Sequence, residues 1–149
     1  MGAMPKLKIE IPDEFQFQTE IPIRISDINY GGHLGNDAVL SVVHESRVQF
    51  LGVHGFTESD VGGCGIIMSD AAIVYASEAF YGEILIVEIT AREAGRTSCD
   101  LLYKLTDRES KREVARARTR VVFFDYVKKR PVRMPEAFEK AILLNPGVS

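Results

Sequence analysis

The chain has no tryptophan and only two cysteines and three histidines among its 149 residues, and these scarcities exclude several chemistries at once. Cys64 and Cys99 form no CxxC pair and no histidine clusters with them. Neither a disulfide framework nor a zinc site is therefore supported. Both are read as reduced core thiols, and no metal or organic cofactor is expected. Basic charge is also short, with 18 Lys and Arg against 21 Asp and Glu for a formal net charge of −3. A phosphate backbone is gripped by clustered cations through counterion release, so nucleic acid is not expected as a partner. No apolar run reaches the roughly 18 residues that a spanning helix needs, and the first residues lack the basic-then-apolar order of a secretion signal. A cytoplasmic protein with no membrane insertion is the expectation. Internal repeats and low-complexity segments are absent too.

What is there is the composition of an ordinary globular protein, 46% apolar and 26% charged. The length suits one domain over residues 1–149, with residues 1–16 as an N-terminal extension. Its opening Met1-Gly2-Ala3-Met4 reads in part as a cloning remnant ahead of a start at Met4.

Residues 17–26 place Phe17, Ile21, Ile23 and Ile25 in the alternation of a half-buried strand, with Pro22 marking an edge or a bulge. Glycine and asparagine then break any period from Asp27 to Asn36 and predict a loop. From Asn36 or Asp37 to Leu51 the pattern is helical. Val39, Leu40, Val42, Val43, Val48, Phe50 and Leu51 cover over half the circumference and predict a mostly buried helix. Asp37, Ser41, Glu45 and Gln49 recur every fourth residue as one polar stripe, with His44 beside it. After a glycine-rich connection with room for one helical turn near Thr57–Asp60, strands are predicted over 66–77, 83–93, 97–106 and 112–126. In the last, Ala115, Ala117, Thr119, Val121 and Phe123 share one face and Arg116, Arg118 and Arg120 the other, as in a sheet wet on one side. Residues 136–144 predict a terminal amphipathic helix.

The layout is α+β: a strand, a glycine loop, one long apolar helix, then four long strands with short links. A long curled antiparallel sheet wrapped around that central helix buries both.

At this point the sequence resembles the hot-dog-fold acyl-CoA thioesterases of the 4-hydroxybenzoyl-CoA thioesterase type, over roughly residues 17–138. The similarity is sharpest at Arg24-Ile-Ser-Asp27-Ile-Asn29-Tyr-Gly-Gly32-His33-Leu-Gly-Asn36, followed by Leu40 and His44-Glu45-Ser46-Arg47. It continues at Phe80-Tyr-Gly82-Glu83, Gly95-Arg-Thr-Ser98, Phe124-Asp125 and Arg130-Pro131. The resemblance implies hydrolysis of an acyl-CoA thioester, with coenzyme A entering only as part of the substrate. It also implies a homodimer, often paired to a homotetramer, with active sites between subunits. Two positions depart from the pattern. Many members carry the catalytic carboxylate where this chain has Asn29, and often have Asn where it has Gly35.

The candidate site residues follow. Gly31-Gly32-His33-Leu34, leading through Asn36 into a helix, suits an oxyanion hole of free backbone amides, or is only the turn into that helix. Asp27 either orients water, with Asn29 neutral beside it, or caps the loop. His33, which titrates near neutral pH, serves as acid or base or as a structural hydrogen-bonding residue. Glu45 among apolar neighbours suits general-base work; otherwise its stripe faces solvent and it pairs with Arg47 or Arg24. Arg96 and Ser98, and the turn Lys128-Lys129-Arg130, offer charges to the phosphates of coenzyme A, or are solvated surface. Two rival functions stay open. A hot-dog enoyl-CoA hydratase would use Asp27, Asn29 and His33, and a non-catalytic acyl-CoA or acyl-carrier binding subunit would have lost its acid at Asn29.

Overall fold

The computed structural model describes residues 7–144. The remnant expected at Met1–Met4 lies outside them. Six strands form one antiparallel sheet: β1 (Phe17–Pro22), β2 (Gly65–Tyr75), β3 (Ile84–Glu93), β4 (Ser98–Asp107), β5 (Glu113–Asp125) and the short β6 (Arg130–Pro131). Their order is β1-β3-β4-β5-β2, with β6 added to β5. Helix α1 (Asn36–Val53) fills the curl of the sheet, and α2 (Glu136–Phe138) widens into a π turn over Glu139–Leu143.

Period-two patterning decides which face of the sheet receives α1. Ala115, Ala117, Thr119, Val121 and Phe123 of β5 are buried, and the apolar four share one core with Val39, Val42, Val43, Phe50 and Leu51 of α1. Burying each large apolar side chain there stabilises the fold by about 1.5–3 kcal/mol. Phe138 and Ile142 close the core at one end, with Phe138 edge-on to Phe123 at 4.9 Å between ring centroids.

Several expectations need correction. The first strand stops at Pro22 rather than Ser26, because the Asp27 carboxylate accepts the Arg24 amide at 2.8 Å and closes a 3-10 turn over Ile25–Asp27. The connection near Thr57–Asp60 holds two tight turns, each bridged by paired backbone, rather than a helical turn. The outer face of the sheet is not uniformly wet. Part of the N-terminal extension lies against it, burying Ile9, and Arg116 donates to the Ile9 carbonyl at 3.2 Å. Leu102 and Asp100 are buried there, the latter by a two-pronged bond from Arg120 at 2.8 and 3.1 Å. Helix α1 is not buried all round: Leu40 and Val48 are exposed, so one face packs and the other stays open. Cys99 is buried, which pushes its thiol up to about 12, whereas Cys64 is only half-buried.

Candidate active site

The turn after β1 places Asp27 with its carboxylate pointing inward, 6% exposed and paired to Arg24 at 3.3 Å. Its carbonyl accepts the Gly35 amide at 3.0 Å, tying the two ends of the glycine loop together. Between them Asn29 organises the loop. Its side-chain oxygen accepts the amides of Gly31 at 2.9 Å and His33 at 3.3 Å, and its backbone pairs with that of His33. An amide side chain can do this work. Gly32, at φ 86, supplies the left-handed residue that the turn requires.

These bonds alter the expected oxyanion hole. The Gly32 amide donates to the Asn29 carbonyl at 3.0 Å and the Leu34 amide to the Ala79 carbonyl at 2.8 Å. Both are engaged within the chain, so Gly32 and Leu34 position the loop and offer no free donor. Asn36 opens α1, and its carbonyl accepts the Tyr75 hydroxyl at 3.4 Å. His33 does not share the cleft that Asp27 lines. It is 3.8 Å from Glu78 and lines a separate cleft of about 240 Å³ with Asn36, Tyr75 and Glu78.

A larger cleft of about 450 Å³ runs between the open face of α1 and the end of β1. Ile21, Pro22, Val42 and Val48 give it apolar walls, and Arg24, Asp27, Ser41, His44 and Glu45 line it as well. The structure thus brings Asp27 and Glu45 to one cleft and leaves His33 and Asn29 outside its lining. Glu45 is exposed rather than enclosed, because the apolar side chains flanking it at 40 and 48 point outward with it. Its partner is neither Arg47 nor Arg24. Gln49 donates to Glu45 Oε1 at 3.2 Å and accepts from Thr19 of β1 at 2.5 Å, which bridges strand and helix.

Sequence reasoning missed a polar network beneath this cleft. Arg47 is buried on the inner face of α1, where it donates from Nε to Glu58 Oε2 at 3.1 Å and from a terminal nitrogen to the Tyr103 hydroxyl at 3.3 Å. That hydroxyl lies 2.8 Å from Thr119 Oγ1. His44 Nε2 lies 2.6 Å from the other Glu58 oxygen. Burial opposes the Arg47 charge, but Tyr103 and Glu58 outweigh it and hold the guanidinium above its ordinary range. Burial also works against the Glu58 carboxylate, yet hydrogen bonds from His44 and Arg47 prevail and keep its pKa below the usual value. Desolvation raises Tyr103, so its hydroxyl stays neutral. Arg47 belongs to the His44-Glu45-Ser46-Arg47 motif and His44 lies beside the polar stripe; Glu58, beyond the helix end, gives no local signal.

The basic candidates sit at the far end of the sheet. Register pairs Ser98 with Val122 and Asp125 with Arg130, so Arg96 and Ser98 and the exposed Lys128–Arg130 turn share one edge. The glycine loop joins the other, where the Leu34 amide meets Ala79 and the Ile23 amide meets Glu83. A ten-residue strand such as β4 separates them, a span of about 30 Å. Among the described residues no three His, Cys, Asp or Glu side chains are placed to hold a metal ion, and no helix is long and apolar enough to cross a membrane.

Comparison with solved structures returns the same architecture repeatedly. A 1,4-dihydroxy-2-naphthoyl-CoA thioesterase from Synechocystis superposes with a TM-score of 0.79 at 22% identity, covering 85% of this chain and 95% of that one. A thioesterase superfamily protein from Jannaschia gives 0.77 at 17% identity, covering 87% and 82%. A DHNA-CoA thioesterase from Staphylococcus aureus gives 0.75 at 20% identity, covering 86% and 91%. Among curated proteins nothing matches the chain. The sheet curled around α1 is the hot-dog fold that these structures share, and the family match extends over residues 23–142: the chain belongs to the thioesterase-like superfamily.

Proposed function

We propose that this thioester hydrolase cleaves an acyl-CoA thioester to the free acid and coenzyme A by direct attack of water in the cleft between α1 and β1. The cleft itself carries the reading. Its apolar walls at Ile21, Val42 and Val48 suit an acyl chain, and Asp27 and Glu45 line the same space in a chain of this family. Glu45, held by Gln49, and Asp27, held by Arg24, orient the water. The Ser41 hydroxyl, lining the same cleft, donates to the oxygen that gains charge. Gly32, Leu34 and Asn36 hold the loop and the helix start in place, with Asn29 as the turn-forming residue. Activated water needs no metal or organic cofactor.

A second copy of the chain completes the site in this reading. The phosphate candidates Arg96, Ser98, Lys128, Lys129 and Arg130 lie too far from the loop to serve it within one chain. Among the described residues strand β2 pairs only with β5, so its outer edge is open there to another strand. Two copies joined antiparallel along β2 place the basic end of one beside the loop end of the other. The assembly proposed on this edge is a homodimer, or a homotetramer of two such pairs.

Free-thiol release from short, long and aromatic acyl-CoAs tests the proposal, with the aromatic class included because the Synechocystis neighbour is a naphthoyl-CoA thioesterase. Wild type is expected to release thiol from at least one class. Asp27→Ala and Glu45→Ala are expected to lose roughly tenfold or more in rate, and His33→Ala, altered in a separate cleft, to keep most of it. Binding without release would instead make the chain an acyl-CoA binding subunit, and water addition to an enoyl-CoA would make it a hydratase.

A further inference from the structure

His44 lines both the cleft toward β1 and a smaller one of about 240 Å³ toward β2, where it is joined by Arg47, Met68 and Thr119. It is the one titratable side chain common to the two. Its imidazole is 58% exposed, while the carboxylate beneath it is anchored. Glu58 Oε1 meets His44 Nε2 at 2.6 Å, and Glu58 Oε2 is held by the buried Arg47, itself fixed through Tyr103 and Thr119. An ionised carboxylate on one ring nitrogen requires the neutral ring to carry its proton there. Nδ1 is then left with a lone pair, and the carboxylate stabilises the imidazolium that forms when Nδ1 takes a proton.

We infer that His44 is the general base that activates the hydrolytic water, and that Glu58 is its positioning residue. The inference rests on the thioester-hydrolysis reading above. As the water oxygen bonds to the carbonyl carbon, its proton passes to Nδ1 of His44. The tetrahedral oxyanion then collapses, the carbon–sulfur bond breaks, and the same proton passes to the departing sulfur. One water and one thioester become one carboxylic acid and one thiol, and the ring returns to its starting state. Charged groups around His44 are Glu45 and Arg47 on α1, Arg24 and Asp27 on the turn after β1, and Glu58 on the turn after α1. Strands β2 and β5 present the uncharged Met68 and Thr119. Glu45 and Asp27 orient the water in this scheme, and the proton goes to the ring.

The test is the pH profile of thiol release by the intact oligomer, for wild type, His44→Gln and Glu58→Gln, with circular dichroism and sedimentation confirming that each variant keeps its fold and assembly. His44 is exposed, so His44→Gln is expected to fold while losing about 100-fold in kcat together with the acid limb of the profile. Glu58→Gln is expected to lower kcat with KM kept, because the ring loses the carboxylate that fixes its Nε2 proton and turns Nδ1 to the water. A purely structural role for Glu58 would change stability or KM and leave kcat in place. Wild-type activity that survives unchanged in His44→Gln overturns the inference and leaves the hydrolase reading standing. A wild type that releases no thiol from any acyl-CoA overturns both.

Discussion

His44 Nε2 and Glu58 Oε1 are 2.6 Å apart although they lie fourteen positions apart in the chain, one on the open face of α1 and the other in the turn that follows it. The turn folds back beneath the helix, and Arg47 anchors it from the inner face. A surface imidazole is thereby connected to the core of the sheet.

The connection gives an acid-stability prediction. Glu58 has its folded pKa below the ordinary carboxylate value, so between the two values the unfolded chain binds more protons than the folded one. Its contribution to stability is present above the ordinary carboxylate range and is lost as pH falls through the folded value. Thermal melts should therefore show wild type above Glu58→Gln at about pH 7, with the gap narrowing as pH falls below the ordinary carboxylate range. A gap that widens on acidification would contradict the assignment.

Tyr103 gives a second prediction, because its hydroxyl joins Arg47 to Thr119 inside the core. Tyr103→Phe leaves both short of a partner. Urea unfolding should show a loss of about 1–3 kcal/mol, with the fold retained.

A third concerns backbone packing. A Cβ at Gly65 would overlap the Tyr126 ring, whose hydroxyl donates to the Ile66 carbonyl at 3.0 Å. Gly65→Ala must displace that ring, and a destabilisation of about 1–3 kcal/mol is expected by the same unfolding measurement.

The basic turn is tested through the substrate. Replacing Lys128 and Lys129 with Gln should raise KM for the acyl-CoA several-fold with kcat unchanged. Added salt should bring wild type toward the double variant, since the lysines are exposed and their attraction is screened. An unchanged KM would return the turn to solvated surface.

Much of this architecture is legible in residue order. The alternation along Ala115–Phe123 predicts which face of β5 meets the helix, and the glycines after Asp27 predict the loop. What escapes local reading depends on distant partners. Glu45 reads as enclosed because Leu40 and Val48 count as core in a helical wheel, yet the sheet reaches only one side of α1 and leaves both open. The amides of Gly32 and Leu34 read as free because their acceptors, the Asn29 and Ala79 carbonyls, are set by the folded loop. Asn29 reads as the place of a missing acid, and only the folded loop shows its side chain closing the turn. Glu58 carries no periodic signal, and only the fold brings it to His44 and Arg47.

The central claim, direct attack by water in the cleft beside α1, is tested most directly by a single turnover in ¹⁸O-labelled water with enzyme in excess over acyl-CoA. The label should appear in the released acid on that first turnover, with none in the protein. Label found instead in the carboxylate of Asp27 or Glu45, with unlabelled acid released, would show a covalent acyl-enzyme and contradict the account.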